Sequence, residues 1–183
     1  MNDLSNPPLQ QVWQWLDQVP DPEIPAISLV DLGVVRELSY DGDTLVVVVT
    51  PTYSGCPATS IINRDIETAL RENGVNKLRL ERRLTPAWTT DWISEKGREQ
   101  LRRYGIAPPG ATQHQAETRV TTASGEVRRQ FWMRPIAAAA PEVSCPRCGS
   151  VNTARVSQFG STPCKANYRC MSCLEPFDYF KSI

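Results

Sequence analysis

The sequence predicts an α+β fold: a small mixed sheet with helices packed on one face, followed by a small β-rich module built around cysteines. Three observations carry this. Up to roughly residue 107, helical and strand periodicities follow in the order helix, strand, strand, helix, strand, helix. Asp41-Gly42 between two β-branched runs marks an antiparallel hairpin. Two Cys-x-x-Cys pairs, Cys145/Cys148 and Cys170/Cys173, lie near the C-terminus.

The first element is a helix in "SNPPLQQVWQWLDQV", where Leu9, Val12, Trp13 and Leu16 share one face. Ser5 or Asn6 is the expected cap. The prolines of "VPDPEIP" forbid continuation. "VVRELSY" and "TLVVVVT" are the hairpin strands, and the second is apolar on both faces, as a central strand is. After Pro51 comes the loop "PTYSGCPA", then a helix burying Ile62, Ile66, Ala69 and Leu70 and stopping at Gly74. "KLRLERRL" alternates, as a strand with one wet face does. "TTDWISEKGREQLRRYG" reads as an amphipathic helix capped by Thr89 or Thr90 and stopped by Gly105.

Residues 108–141 change character. They are polar and small at first and end in the spacer "IAAAAPE", so they read as a linker, with "VRRQFWMRPI" an isolated strand inside it. The expected division is therefore 1–107, a linker at 108–141, and a second module at 142–183.

The chain of 183 residues has a formal net charge of zero, which speaks against a general nucleic-acid binder. No basic segment followed by an apolar run opens it, and no apolar stretch is long enough to span a membrane. The expectation is a cytoplasmic, reduced protein with neither nucleic-acid nor membrane partners. Clustered cysteines are there metal ligands or reactive thiols rather than disulfides.

Two residues between thiolates let both sulfurs reach one tetrahedral ion. Cys145, Cys148, Cys170 and Cys173 thus read as a four-cysteine zinc ribbon carried on "ARVSQF", "KANYR" and "FDYF". The expected ion is structural Zn²⁺, with iron the alternative, since tetrahedral sulfur suits both. Cys164 is left over: it is either a small packed residue or a thiol of a second, transient site.

Cys56 stands apart in "YSGCPAT". If a helix starts there, its N–H groups and dipole lower the thiol pKa and make a nucleophile or soft-metal ligand; otherwise Cys56 is a packed helix-start residue. Asp21 and Glu23 are two carboxylates in a constrained turn, either metal ligands, general acids or turn caps. The one histidine, His114, lies in the linker, a weak partner for a catalytic cysteine.

"DPEIPAISLVDLGVVREL" followed by "VVVVTPTYSGCPA" resembles the MIP18/DUF59 family, which assists iron–sulfur cluster assembly. "LTPAWTTDWISEKGREQLRRYGIAPP" with the cysteine module resembles the PaaD family of phenylacetate degradation, over nearly the whole chain. The resemblance implies an accessory, non-catalytic role in the multicomponent phenylacetyl-CoA epoxidase, which combines a di-iron oxygenase with a flavin and [2Fe–2S] reductase. It implies maturation of a metal centre, most directly the reductase's cluster, together with iron–sulfur assembly proteins. Cys56 becomes a ligand that holds iron or a cluster briefly, supported by Asp21, Glu23 and Thr52. Two alternatives stand beside this: a stably bound structural or regulatory subunit that docks through the ribbon, and a thiol enzyme using Cys56. Client, ribbon metal and oligomeric state stay open.

Overall fold

The computed structural model describes residues 6–110 and 142–181. The expected linker beyond residue 110, its strand and His114 lie outside the described residues.

Helix α1, Leu9–Leu16, buries Val12 and Leu16. Its N-cap is Pro8, which makes no side-chain cap, so Asn6 is not the cap, and Ser5 lies outside the described residues. Proline is tolerated there because the first N–H groups of a helix have no internal partner. Strands β1, Val35–Asp41, and β2, Thr44–Val49, form the expected antiparallel hairpin. Strand β3, Leu78–Arg82, adds in parallel, so β2 is central in the order β1-β2-β3. Helix α2, Thr59–Glu72, makes the crossover between β2 and β3 and buries Ile62, Ile66 and Leu70. Ala69 is only half-buried.

Leu45, Val47 and Val49 of β2 join α1 and α2 in the main core. Val46 and Val48 point the other way and are also buried, but outside that cluster. Their register neighbours are Ser39, Arg79, Glu37 and Glu81. The ion pairs Arg79–Glu81 and Arg83–Glu37 lie along this strip. Helices on one face and a charged lattice on the other give the predicted layering.

The segment after β3 differs in detail from the expectation. A single 3₁₀ turn, Thr90–Trp92, comes first, Ile93 is extended, and α3 spans Glu95–Tyr104. Its cap is Ser94, whose Oγ accepts from the Gly97 N–H, not Thr89 or Thr90. Ser94 is fixed there by Asp31: its N–H donates to the Asp31 carbonyl and its hydroxyl to the Asp31 carboxylate at 2.6 Å. Lys96 reaches both Asp17 and Asp31 at 2.8 Å. Gly97 permits the close approach, because a Cβ there would lie 2.8 Å from Ile27 Cδ1. Gly105, at φ 93°, ends α3 as expected.

Strands β5, Thr153–Ser157, β6, Lys165–Cys170, and β7, Pro176–Phe180, form the antiparallel ribbon. A two-residue strand, β4, Ile106–Ala107, pairs with β7 in parallel, giving the order β4-β7-β6-β5. The last residues of the N-terminal unit therefore belong to the ribbon's sheet. Phe180 and Cys164 of the ribbon are in turn members of the main core.

Candidate functional site

Two cysteine constellations are present, and they differ in kind. In the ribbon, the sulfurs of Cys145, Cys148, Cys170 and Cys173 all lie within 4.8 Å of one another. Cys145 and Cys173 are 3.8 Å apart, and Cys148 and Cys170 are 3.6 Å apart. A tetrahedron with metal–sulfur bonds of about 2.3 Å has edges of about 3.8 Å. The two knuckles are built alike. The Cys145 N–H donates to the Ser150 carbonyl and the Cys170 N–H to the Glu175 carbonyl, each at 2.9 Å. The hydroxyls of Ser150 and Ser172 meet at 2.8 Å and tie the knuckles together.

The thiols' electrostatics call for a cation. The Cys173 N–H holds the Cys170 thiol down at about 6. The Cys173 thiol is pushed up to about 12: a backbone hydrogen bond at Glu175 works the other way, but burial and the other three ribbon cysteines raise it. Four thiolates cannot coexist in this volume without a positive ion. The donor set fits a tetrahedral divalent metal, and the group is a metal-binding cluster.

The second constellation surrounds Cys56. The turn of "DPEIP" is closed by Asp21, whose Oδ1 accepts from the N–H groups of Glu23 and Ile24 at 2.9 and 2.8 Å. One carboxylate oxygen thus caps the turn. Asp21, Glu23, Thr52 and Cys56 line one small cavity, as do Cys164 and Phe180. Its volume is about 10 Å³, about the room one water needs. Cys56 is half-buried and Cys164 is buried.

Helix α2 starts at Thr59, directly after the loop "PTYSGCPA" as the sequence predicts, so Cys56 lies three residues before it. The environment disfavours the lowered thiol pKa that a helix start at Cys56 itself would give. Burial pushes the Cys56 thiol up, and the Glu23 and Asp21 charges push it further. Hydrogen bonds from the Ala58 N–H and the Thr59 side chain offset this only in part. Asp21 is itself pushed up by burial, against the two turn N–H groups and the Lys165 charge. Glu23 is raised by burial and by Asp21. The thiol therefore stays protonated until a cation competes for it.

Sequence reasoning missed three neighbours. Phe180 is a wall of the cavity, and Lys165, buried and paired with Asp178 at 3.4 Å, acts on Asp21, Glu23 and Cys164. The Tyr53 hydroxyl is buried, finds no hydrogen-bond partner among the described residues, and feels Cys56, Glu23 and Cys164. Tyr53 could have been picked from the "PTYSGCPA" loop. Nothing in the spacing of Lys165 or Phe180 signals proximity to residues near the N-terminus.

Comparison with known proteins follows the same division. Residues 134–181 match the PaaD zinc beta ribbon domain, and residues 9–76 match the iron–sulfur cluster assembly protein family. Over 180 residues the chain is 44% identical to an Escherichia coli (strain K12) protein named as a subunit of a "Putative 1,2-phenylacetyl-CoA epoxidase", covering 98% of this chain and 96% of that one. The chain belongs to the PaaD family. In this PaaD-family chain the assembly-protein match contains Asp21, Glu23, Thr52 and Cys56, and the ribbon match contains the other five cysteines. Two solved structures are also similar. The DUF59 domain from Bacillus anthracis is 27% identical, covers 50% of this chain and 89% of its own, and has a TM-score of 0.47. A conserved hypothetical protein from Thermotoga maritima is 29% identical, covers 55% and 98%, and has a TM-score of 0.45. Among the described residues no helix is long and apolar enough to cross a membrane.

Proposed function

We propose that this protein is an accessory factor of a multicomponent 1,2-phenylacetyl-CoA epoxidase and assists maturation of a metal centre in its reductase or oxygenase, with the reductase's iron–sulfur cluster the favoured client. The domain division 1–107, 108–141 and 142–183 is part of this proposal, as is zinc in the ribbon. One observation carries it: a thiol and two carboxylates converge on a partly open cavity, away from a closed four-cysteine cluster. A closed cage retains its ion, whereas a half-exposed thiol with too few partners can take iron and pass it on. The relative's name and the assembly-protein match support the same reading.

The chemistry weighs against the thiol enzyme. The charges that act on Cys56 are those of Glu23 and Asp21, and both oppose a thiolate. The docking-subunit reading has one observation in its favour. Val156, Phe159, Met171 and Leu174 of the ribbon are exposed. The relative's description as a subunit fits it too.

The test replaces Cys56 with Ser in cells growing on phenylacetate. Serine keeps the size of the side chain but is a poor ligand for iron held by thiolates. Maturation requires that the reductase accumulate with a lowered iron-to-protein ratio while the variant is present at its normal level. Equal ratios would remove the transfer role and favour the docking subunit.

A further inference from the structure

We propose that Cys164 of the ribbon completes the Cys56 site, so that a thiophilic metal cargo, iron in particular, is held between two thiolates drawn from opposite ends of the chain. This rests on the reading of Cys56 as the cargo ligand and gives that ligand a partner.

Four side chains with metal-binding chemistry line the one cavity: Asp21, Glu23, Cys56 and Cys164. The ribbon supplies Cys164 from the chain just before β6, and the Lys181 N–H donates to the Cys164 carbonyl at 2.9 Å, fixing its backbone beside β7. Its sulfur lies 3.0 Å from the Thr162 hydroxyl, an outer hydrogen bond of the sort that orients a metal ligand. The buried Tyr53 hydroxyl, without a partner among the described residues and within electrostatic reach of both sulfurs, is a polar group that packing alone leaves unexplained.

The site is also the opposite of a resident cage. Among the described residues only the ribbon cysteines bring three or more metal-binding donors within 4.8 Å. The cavity donors must close in around an ion, which suits a cargo that leaves again. The ribbon is then more than a docking module: without its placement through β4, the cargo has one thiolate instead of two. Binding a divalent ion displaces the two thiol protons to solvent and forms two metal–sulfur bonds, with no change of oxidation state.

Cobalt(II) is the probe, added without oxygen to the full chain with its ribbon already loaded with zinc. Wild-type protein is expected to take one further cobalt, with a thiolate-to-cobalt charge-transfer band and two sulfurs in the cobalt X-ray absorption. Cys56→Ser and Cys164→Ala should each remove about half of the band per cobalt and weaken binding by about tenfold or more. Alanine keeps Cys164's apolar packing, and the sulfur count in unaltered protein answers the question should the variant fail to fold. One sulfur at the cobalt, or Cys164→Ala behaving as wild type while Cys56→Ser fails, overturns the composite site and leaves Cys56 as sole thiolate. No bound cobalt in the zinc-loaded wild type overturns both the site and the cargo reading beneath it.

Discussion

The rings of Trp88 and Phe180 meet with their centroids 5.9 Å apart and their planes tilted by 52°. Trp88 is further held by its indole N–H, which donates to the Leu32 carbonyl at 3.1 Å. The pair joins the N-terminal core to the last strand of the ribbon, where β4 and β7 run side by side. Phe180 also walls the cavity that holds Cys56, so stability and site geometry meet at one ring.

Phe180→Ala is therefore expected to cost about 3–5 kcal/mol, the range for truncating a buried aromatic. It should also uncover Cys164, which is buried against the same core. Urea unfolding gives the first quantity, and the rate of Cys164 alkylation, followed by mass spectrometry, gives the second. An unchanged alkylation rate would mean the ribbon seam does not depend on this ring.

The two ribbon knuckles place a positive φ at equivalent positions, Gly149 at 73° and Leu174 at 64°. Glycine adopts that conformation freely, while a leucine is strained by roughly 1 kcal/mol. Leu174 is exposed, so its side chain contributes little packing. Leu174→Gly should stabilise the ribbon by about 0.5–1 kcal/mol, read as slower metal loss to a chelator. Faster loss would show that Leu174 packs against something in solution.

Asp21→Asn should make the protein more stable at neutral pH. Asparagine Oδ1 can accept the same two N–H groups, and the buried charge is gone. In the wild type the folded pKa lies above the unfolded one, so proton uptake favours the fold. That stabilisation is fully present below the unfolded pKa and is lost as pH rises through the raised folded pKa. The gap between variant and wild type should thus be widest near neutrality and close as the pH falls through the Asp21 pKa. Urea midpoints across a pH series check this, and a less stable variant at neutral pH would refute it.

Cys148 is exposed, so Cys148→Ser removes a ribbon ligand with little loss of packing. Structural metals in small cysteine modules contribute on the order of 10–16 kcal/mol to folding. The variant should lose the bound metal, which wild type is expected to hold at one per chain in the ribbon. Its Trp88 emission should shift to the red as Phe180 departs. Elemental analysis and fluorescence on the same samples test both halves, and freshly prepared wild type without metal would end the ribbon reading.

Local features were legible in the residues alone. Helix periodicity, the Asp-Gly turn and the Cys-x-x-Cys spacing each concern groups a few residues apart, so their geometry is set by short stretches of backbone. The hairpin, α2 and the four ribbon ligands follow from them. The Ser94 cap was not legible, because several polar residues stood at the start of α3 and a distant carboxylate, Asp31, selected among them. The charge state of Cys56 was not legible for a related reason: it depends first on burial, and then on the balance between the Ala58 N–H and the Glu23 and Asp21 charges that the fold brings to it. Cys164 shows the limit most clearly. Sequence could count it as left over, but no period encodes which strand edge a ribbon pairs with. Only the backbone hydrogen bonds between β4 and β7, and the aromatic contact beside them, decide that Cys164 and Cys56 line the same cavity.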